Sequence, residues 1–479
     1  MTHPTIIQGG MGVAVSSWQL AQAVAQEGQL GVVSGTGIGI VMLARLQQGD
    51  PGGHIRRALR AFPYPDIAEK YIDAYFVAGG IPADQPYARP PLWTIKPSHD
   101  LNELTVVANF VEVWLAKDGH AGVVGINLLE KVQLPNLASI YGAMLADVDY
   151  VIMGAGIPMQ VPGVLDAFAE HQAASYRVDV QGAELDDDYR VHFDPEQVFP
   201  GITERVGNLK RPFFLPIVSS VVLALALRKR ANGEVNGFII EMPIAGGHNA
   251  PPRGEMQLDE NGDPIYGKKD DVKIEKFQTF GLPFWLAGGY GHPEKLQDAL
   301  ALGAAGIQVG TAFAYADESG FAPELRQRVI AQVLEDEAVV RTSPTASPTG
   351  FPFKVVGVPN SMSDPTVYAA RERICDVGYL RHLYKNSKGK IGYRCPAEPV
   401  DIYVRKGGKV EDTVGRTCLC NNLGAAAGLP QVRADGYIEP PIVTSGDDLP
   451  QIKRFIPDGQ THYSARDVIR VLLGSAERV

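Results

Sequence analysis

The sequence predicts an α/β fold, a closed (β/α)8 TIM barrel with large insertions and a C-terminal cysteine-containing module. Three observations carry this. Eight short runs are almost wholly apolar, as parallel strands buried on both faces are. Helical patterns lie between most of them. Gly or a polar residue stands just past the end of run after run, where the ligand-binding face of such a barrel lies. In order, Thr5–Gln8 (TIIQ) ends in Gly9-Gly10-Met11-Gly12 and leads to a helix near Trp18–Glu27, with Ser16 or Ser17 as N-cap. Gly31–Ser34 (GVVS) ends in Gly35-Thr36-Gly37, Gly122–Leu128 (GVVGINL) carries Asn127 at its end, and Tyr150–Met153 runs into Gly154–Gly156. Phe213–Val218 stops at Ser219-Ser220, Gly237–Met242 leads into AGGH, Pro283–Ala287 into a Gly-rich turn, and Gly306–Val309 into Gly310-Thr311. Helical patterns at Leu137–Leu145, Val221–Arg230 and Pro293–Leu302 separate strands. An open doubly wound sheet is the alternative.

The chain has 479 residues, more than one plain barrel needs. Residues 50–120 hold predicted helices near Ile55–Ala61, Ile67–Val77 and Leu101–Lys117 and the Pro-rich stretch Ala88–Pro97. Residues 171–211 hold a hairpin pattern, Tyr176–Val180 and Tyr189–Phe193, around the acidic Glu184–Asp188. Both insertions follow strand ends and are expected to form lids. The repeating pattern stops near Ala331, so the barrel is assigned to 1–335 and a separate module to 336–479.

Composition excludes several classes. Net charge is −10 and mean hydropathy −0.05. An acidic chain gains no counterion-release affinity for phosphate backbones, so no nucleic-acid partner is expected. The most apolar segment, Pro212–Leu227, is shorter than a membrane span and is interrupted by Pro216, Ser219 and Ser220. The N-terminus, MTHPTIIQGGMG, lacks a basic stretch followed by an apolar one, so no signal peptide is expected and the predicted location is cytoplasmic.

Two motifs late in the barrel carry chemistry. Phe284–Gly291 reads FWLAGGYG and Gly306–Phe313 reads GIQVGTAF, each a strand followed by a turn with glycine. The first leads into a helix near Pro293, and Pro suits a first helical turn. Backbone N–H groups at such turns bind phosphate, and in (β/α)8 enzymes the phosphate site follows strands seven and eight. A phosphate-bearing cofactor is therefore expected. There is no Walker A motif, and GTGIGI at Gly35 is too weak a match for a Rossmann site. His248 follows Gly246-Gly247 at the sixth strand's end, where an imidazole suits proton transfer at neutral pH. The other nine histidines have no such context.

Together, IIQGGMG at Ile6–Gly12, AGGH at Ala245–His248, AGGYG at Ala287–Gly291 and GIQVGT at Gly306–Thr311 resemble the nitronate monooxygenase (2-nitropropane dioxygenase) family. These are FMN-dependent TIM-barrel oxidoreductases related to FMN-dependent enoyl-acyl-carrier-protein reductases. The resemblance implies that Gly10, Met11 and Gly12 lie against the flavin and that Asn127 hydrogen-bonds its ring. It implies that Gly246 and Gly247 approach FMN. Gly288, Gly289, Gly310 and Thr311 would hold its phosphate, with Gln308 nearby and His248 as catalytic base or proton donor. The implied activity is oxidation of alkyl nitronates or nitroalkanes with O2 to carbonyl compounds and nitrite. The alternative is an NAD(P)H-dependent enoyl reductase of the trans-acting type, with an acyl-carrier protein as partner. A non-catalytic FMN- or metal-binding scaffold is a third reading, against which His248 argues. After AGGH the sequence departs from the family pattern with Asn249-Ala250-Pro251-Pro252-Arg253-Gly254, and Arg253 adds a cation that suits an anionic substrate.

All four cysteines fall outside the barrel assignment. Cys375, Cys395, Cys418 and Cys420 are enough for one tetrahedral site, though their spacing is not a standard zinc or ferredoxin one. They are assigned as ligands of zinc or an Fe–S cluster, with buried free thiols as the alternative. Residues 371–394 carry seven basic groups (Arg371, Arg373, Arg381, Lys385, Lys388, Lys390, Arg394) against Glu372 and Asp376. That excess suits a thiolate cluster, an acidic carrier protein, a phosphorylated substrate or simply a solvated face.

Overall fold

A computed structural model of the chain describes residues 3–474. The eight expected strands form one parallel sheet: β1 (Ile6–Gln8), β2 (Gly31–Ser34), β3 (Val124–Leu129), β4 (Tyr150–Gly154), β5 (Phe213–Val218), β6 (Phe238–Glu241), β7 (Phe284–Ala287) and β8 (Gly306–Val309). Their order is β1-β8-β7-β6-β5-β4-β3-β2. A parallel bridge between Ile7 and Leu30 closes the ring, with Gln8 N donating to Leu30 O at 3.0 Å and Leu30 N to Ile6 O at 3.1 Å.

Burial on both faces explains the continuous apolar runs. Alternate residues point to opposite sides of a strand. Ile7, Val32, Ile152, Leu215, Ile239 and Trp285 form one cluster, the barrel interior. Their neighbours Ile6, Val33, Val151, Phe214, Ile240 and Leu286 belong to the cluster packed beneath the helices. Trp285 donates its indole N–H to Pro4 O at 2.8 Å, plugging the end opposite the Gly-rich rim.

The helices follow local rules. Trp18–Gln26 is capped by Ser17, whose hydroxyl accepts from Leu20 N. His99–Lys117 is capped by Ser98 and packs on both Trp18–Gln26 and Asn136–Leu145. The last contact is backbone-close: a Cβ at Gly142 would lie 2.2 Å from Val106 O. The 50–120 insertion is therefore no lid. Its long helix is buried on nearly every side, because it serves as an outer helix of the barrel. Even its Glu112 points inward, accepting from Trp18 N at 2.8 Å and from Arg45 at 3.0 Å.

The second insertion forms the expected hairpin in part. Ala174–Arg177 pairs antiparallel with Arg190–Phe193, but Val180–Gln181 leaves it and pairs parallel with His382–Lys385. No helix among the described residues is long and apolar enough to cross a membrane.

Residues beyond 335 wrap over the rim and around the side of the barrel. Val340–Ser343 and Phe353–Val356 form one hairpin, and His382–Lys385 and Ile391–Arg394 a second. Val356, Val443, Leu449, Phe455 and Leu472 share the cluster that lies beneath the barrel helices. The last helix, Ala465–Leu472, packs on both Trp18–Gln26 and Pro293–Ala301, filling the gap in the outer ring between first and seventh units. Asp376 bridges the two parts, paired with Arg89 of the Pro-rich stretch and with Arg433.

Most of the basic segment is spent inside this packing. Arg371, Arg373, Arg381 and Arg394 donate to the carbonyls of Arg416, Thr413, Trp93 and Lys406 respectively, and Lys385 pairs with Glu184 and Asp187. Lys388 and Lys390 are left exposed in the hairpin turn.

Candidate active site

The strand ends and the C-terminal residues enclose one chamber. Gly10, Met11, Gly12, Asn127, Gly246, Gly247, His248, Gly288, Gly289, Gln308, Gly310 and Thr311 all line it. The structure thus brings His248 and every residue expected to hold the flavin to one place. Neither insertion contributes to the lining; the opposite wall is Val377, Tyr379, Leu380, Leu419, Cys420 and Leu429. The expected lids are replaced by residues from beyond 335.

The chamber has a glycine floor for a steric reason. A Cβ at Gly10 would sit 2.1 Å from Asn127 Cβ, so a side chain there would displace Asn127. Asn127 Nδ2 donates to Gly10 O at 3.2 Å. Its Oδ1 is buried with no protein partner, as is Gln308 Oε1. Buried polar atoms are ordinarily hydrogen-bonded, so two unsatisfied oxygens in one chamber mark places for ligand donors.

His248 is held by the hairpin beyond the barrel. Its backbone bridges Phe353, and Lys354 N donates to Gly247 O at 3.0 Å. Its ring packs edge-on to Phe353 with centroids 4.9 Å apart. The hairpin loop carries Ser347, fully buried, whose hydroxyl lies 2.6 Å from His248 Nε2. Ser347 in turn lies 2.8 Å from Thr349 Oγ1. Burial, and then the Lys131 charge, pull the imidazole down to a pKa of about 4. The ring is neutral at pH 7. The Lys131 ammonium sits 3.5 Å over the Phe351 ring, and its own pKa is lowered by burial.

Three features escaped the sequence reading. Glu241, at the end of β6, lines the chamber, and burial raises its carboxyl to about 7. It was visible as the one charged residue in GFIIEM. Ser347 and Lys131 had no local signal, because their roles depend on long-range packing. Arg253 was expected near substrate. Instead it caps the carbonyls of Lys269 and Ser219, at 2.6 and 2.9 Å.

The thiols do not form the expected centre. Among the described residues, no group of three or more His, Cys, Asp or Glu side chains is arranged to hold a metal ion. Cys375, Cys395, Cys418 and Cys420 are all free, and Cys395 lies within electrostatic reach of both Cys375 and Cys420. The bond to Cys375 and then burial push the Cys395 thiol up. Cys420 is instead pulled down by Cys418 and by the amides of Leu380 and Tyr379. Zinc and Fe–S therefore gain no support.

A closed parallel barrel with glycines and polar side chains gathered at its C-terminal rim defines a barrel enzyme. Residues 190–348 match the family model described as nitronate monooxygenase. Three of the four motifs fall in that span. The match bears out the resemblance to that family over this span. Among solved structures, FabK from Thermotoga maritima is 15% identical, with 99% of this chain and 92% of that chain covered and a TM-score of 0.47. A nitroalkane oxidase from Streptomyces ansochromogenes is 16% identical, with 98% and 96% covered and a TM-score of 0.45. A comparison with curated proteins finds no match.

Proposed function

We propose that the chain is an FMN-dependent enzyme that oxidises alkyl nitronates, with O2, to a carbonyl compound and nitrite. Bound FMN supplies the electron acceptor and the reaction with oxygen. Gly10, Met11 and Gly12 form the surface under its ring, and Asn127 Oδ1 and Gln308 Oε1 offer acceptors to its polar edge. Gly246 and Gly247 let the backbone approach it. The turns at Gly288-Gly289 and Gly310-Thr311 offer amides to its phosphate.

The observation that carries the reading is the environment of His248. A neutral imidazole with Nε2 fixed by Ser347 acts as a base or hydrogen-bond partner through Nδ1, and the Lys131 charge nearby favours an anion. A nitronate is an anion. A general acid protonating a reduced C=C bond needs the opposite arrangement, a ring protonated near pH 7.

One observation favours a second reading, the NAD(P)H-dependent enoyl reductase acting on a carrier-bound acyl chain. The wall made by Val377, Leu380, Leu419 and Leu429 is apolar enough to hold such a chain. Anaerobic titration of the purified flavoprotein separates the two. Bleaching by an alkyl nitronate but not by NAD(P)H is expected. Bleaching by NAD(P)H alone, with turnover of an enoyl thioester, overturns the nitronate assignment in favour of the reductase.

A further inference from the structure

The corner of the chamber at the end of β8 contains a strand of chain from far along the sequence. Residues Thr444, Ser445, Gly446 and Asp448 line the chamber together with Gly289, Gly310 and Thr311. The strap is seated closely. Thr444 Oγ1 accepts from Gly247 N at 2.8 Å, and a Cβ at Gly246 would lie 2.8 Å from the Ser445 carbonyl carbon. Gly246 is thus glycine because the strap crosses it.

Thr311 is the tether at the other side. Its hydroxyl donates to Asp448 Oδ1 at 2.7 Å and accepts from Gly446 N at 3.1 Å. With its only proton committed to Asp448, the Thr311 hydroxyl has none left for a phosphate oxygen. What Thr311 offers an anion is its backbone amide.

The unspent side-chain donor at this corner belongs to the strap. Ser445 is 4% exposed and lines the chamber; its hydroxyl meets the buried Tyr315 hydroxyl, and accepting from that group leaves the Ser445 proton uncommitted. A buried hydroxyl proton without an acceptor costs on the order of 1–3 kcal/mol, so one facing a chamber marks a ligand position. A cation stands nearby as well: the Arg454 side chain donates to Gly291 O at 3.2 Å.

We propose that the segment Thr444–Asp448 completes the cofactor's phosphate site, with the Ser445 hydroxyl donating to a phosphate oxygen and the Thr311–Asp448 bond clamping the strap over it. The inference rests on the FMN reading and adds a ligand from outside the barrel motifs. Ser445 discriminates FMN from the same flavin without phosphate. Asp448 is a positioning residue, acting through Thr311.

The test compares FMN with riboflavin on flavin-free full-length protein, following the quenching of flavin fluorescence. Wild type binds FMN more tightly than riboflavin. Ser445→Ala lowers FMN affinity about tenfold, as expected for one lost hydrogen bond to a charged group. It leaves riboflavin affinity unchanged, and Ser445→Cys falls between. Thermal unfolding of each flavin-free variant confirms a folded chain; if Ser445→Ala does not fold, Ser445→Cys carries the comparison. Equal losses for FMN and riboflavin, or no loss for FMN, overturn the Ser445 assignment and leave the FMN reading standing. A wild-type chain that binds neither flavin overturns both.

Discussion

At the scale of single residues, the chamber holds two half-buried groups with opposite pH behaviour. His248 has its folded pKa lowered to about 4 from 6.5. The unfolded chain therefore binds more protons between those values, and stability is lost as pH falls from about 6.5 to about 4. Glu241 has its folded pKa raised to about 7 from 4.5. There the folded chain binds more protons, so stability is lost as pH rises from about 4.5 to about 7. Each effect is at most about 3 kcal/mol in flavin-free protein. Denaturant unfolding across pH 4–8 should show Glu241→Gln gaining stability relative to wild type at pH 8 but not at pH 4. His248→Asn should gain at pH 4 and not at pH 8.

Ser347 belongs to the same scale. Its hydroxyl fixes which imidazole nitrogen faces the chamber, so Ser347→Ala is expected to lower kcat about tenfold with a smaller change in KM. In a His248→Asn background the same change should have little further effect, since its role runs through the ring. Additive losses in the double variant would show that Ser347 acts independently of His248.

At the scale of elements, the strands were legible because burial on both faces leaves an unbroken apolar run, and all eight fall where the sequence puts them. The rim was legible for a related reason: glycines recur where side chains would collide, as at Gly10. The insertions were misread. Leu101–Lys117 is so uniformly apolar that its sequence does not distinguish a lid from an outer barrel helix, and only its neighbours decide. Its contact with Asn136–Leu145 gives a direct check. Gly142→Ala places a methyl group against Val106 O, forcing the helices apart at a cost of about 1–3 kcal/mol. A thermal midpoint unchanged from wild type would mean that the helices do not approach this closely.

The cysteines show the converse. Four thiols in one segment suggested a shared ion, yet spacing in sequence does not specify whether they converge or pair off. In the structure all four are free, and no metal-holding group forms among the described residues.

At the scale of the whole molecule, the stretch beyond 335 supplies a wall of the chamber, the residue that fixes His248, and the helix that fills the outer ring. None of this was readable from the barrel motifs, which end before it. A chain ending at residue 335 exposes the apolar faces against which Val443, Leu449, Phe455 and Leu472 pack. It is expected to aggregate and to retain no flavin when expressed alone. A soluble, flavin-loaded product would show that the first 335 residues form a self-sufficient unit.

The position of Ala465–Leu472 also sets an order of events during synthesis. The gap between the first and seventh outer helices is filled by a segment made long after all eight strands. Until that segment emerges, the nascent chain presents an open seam beside β1. A stalled chain lacking Ala465–Leu472 would be a target for chaperones and proteases rather than a dormant enzyme.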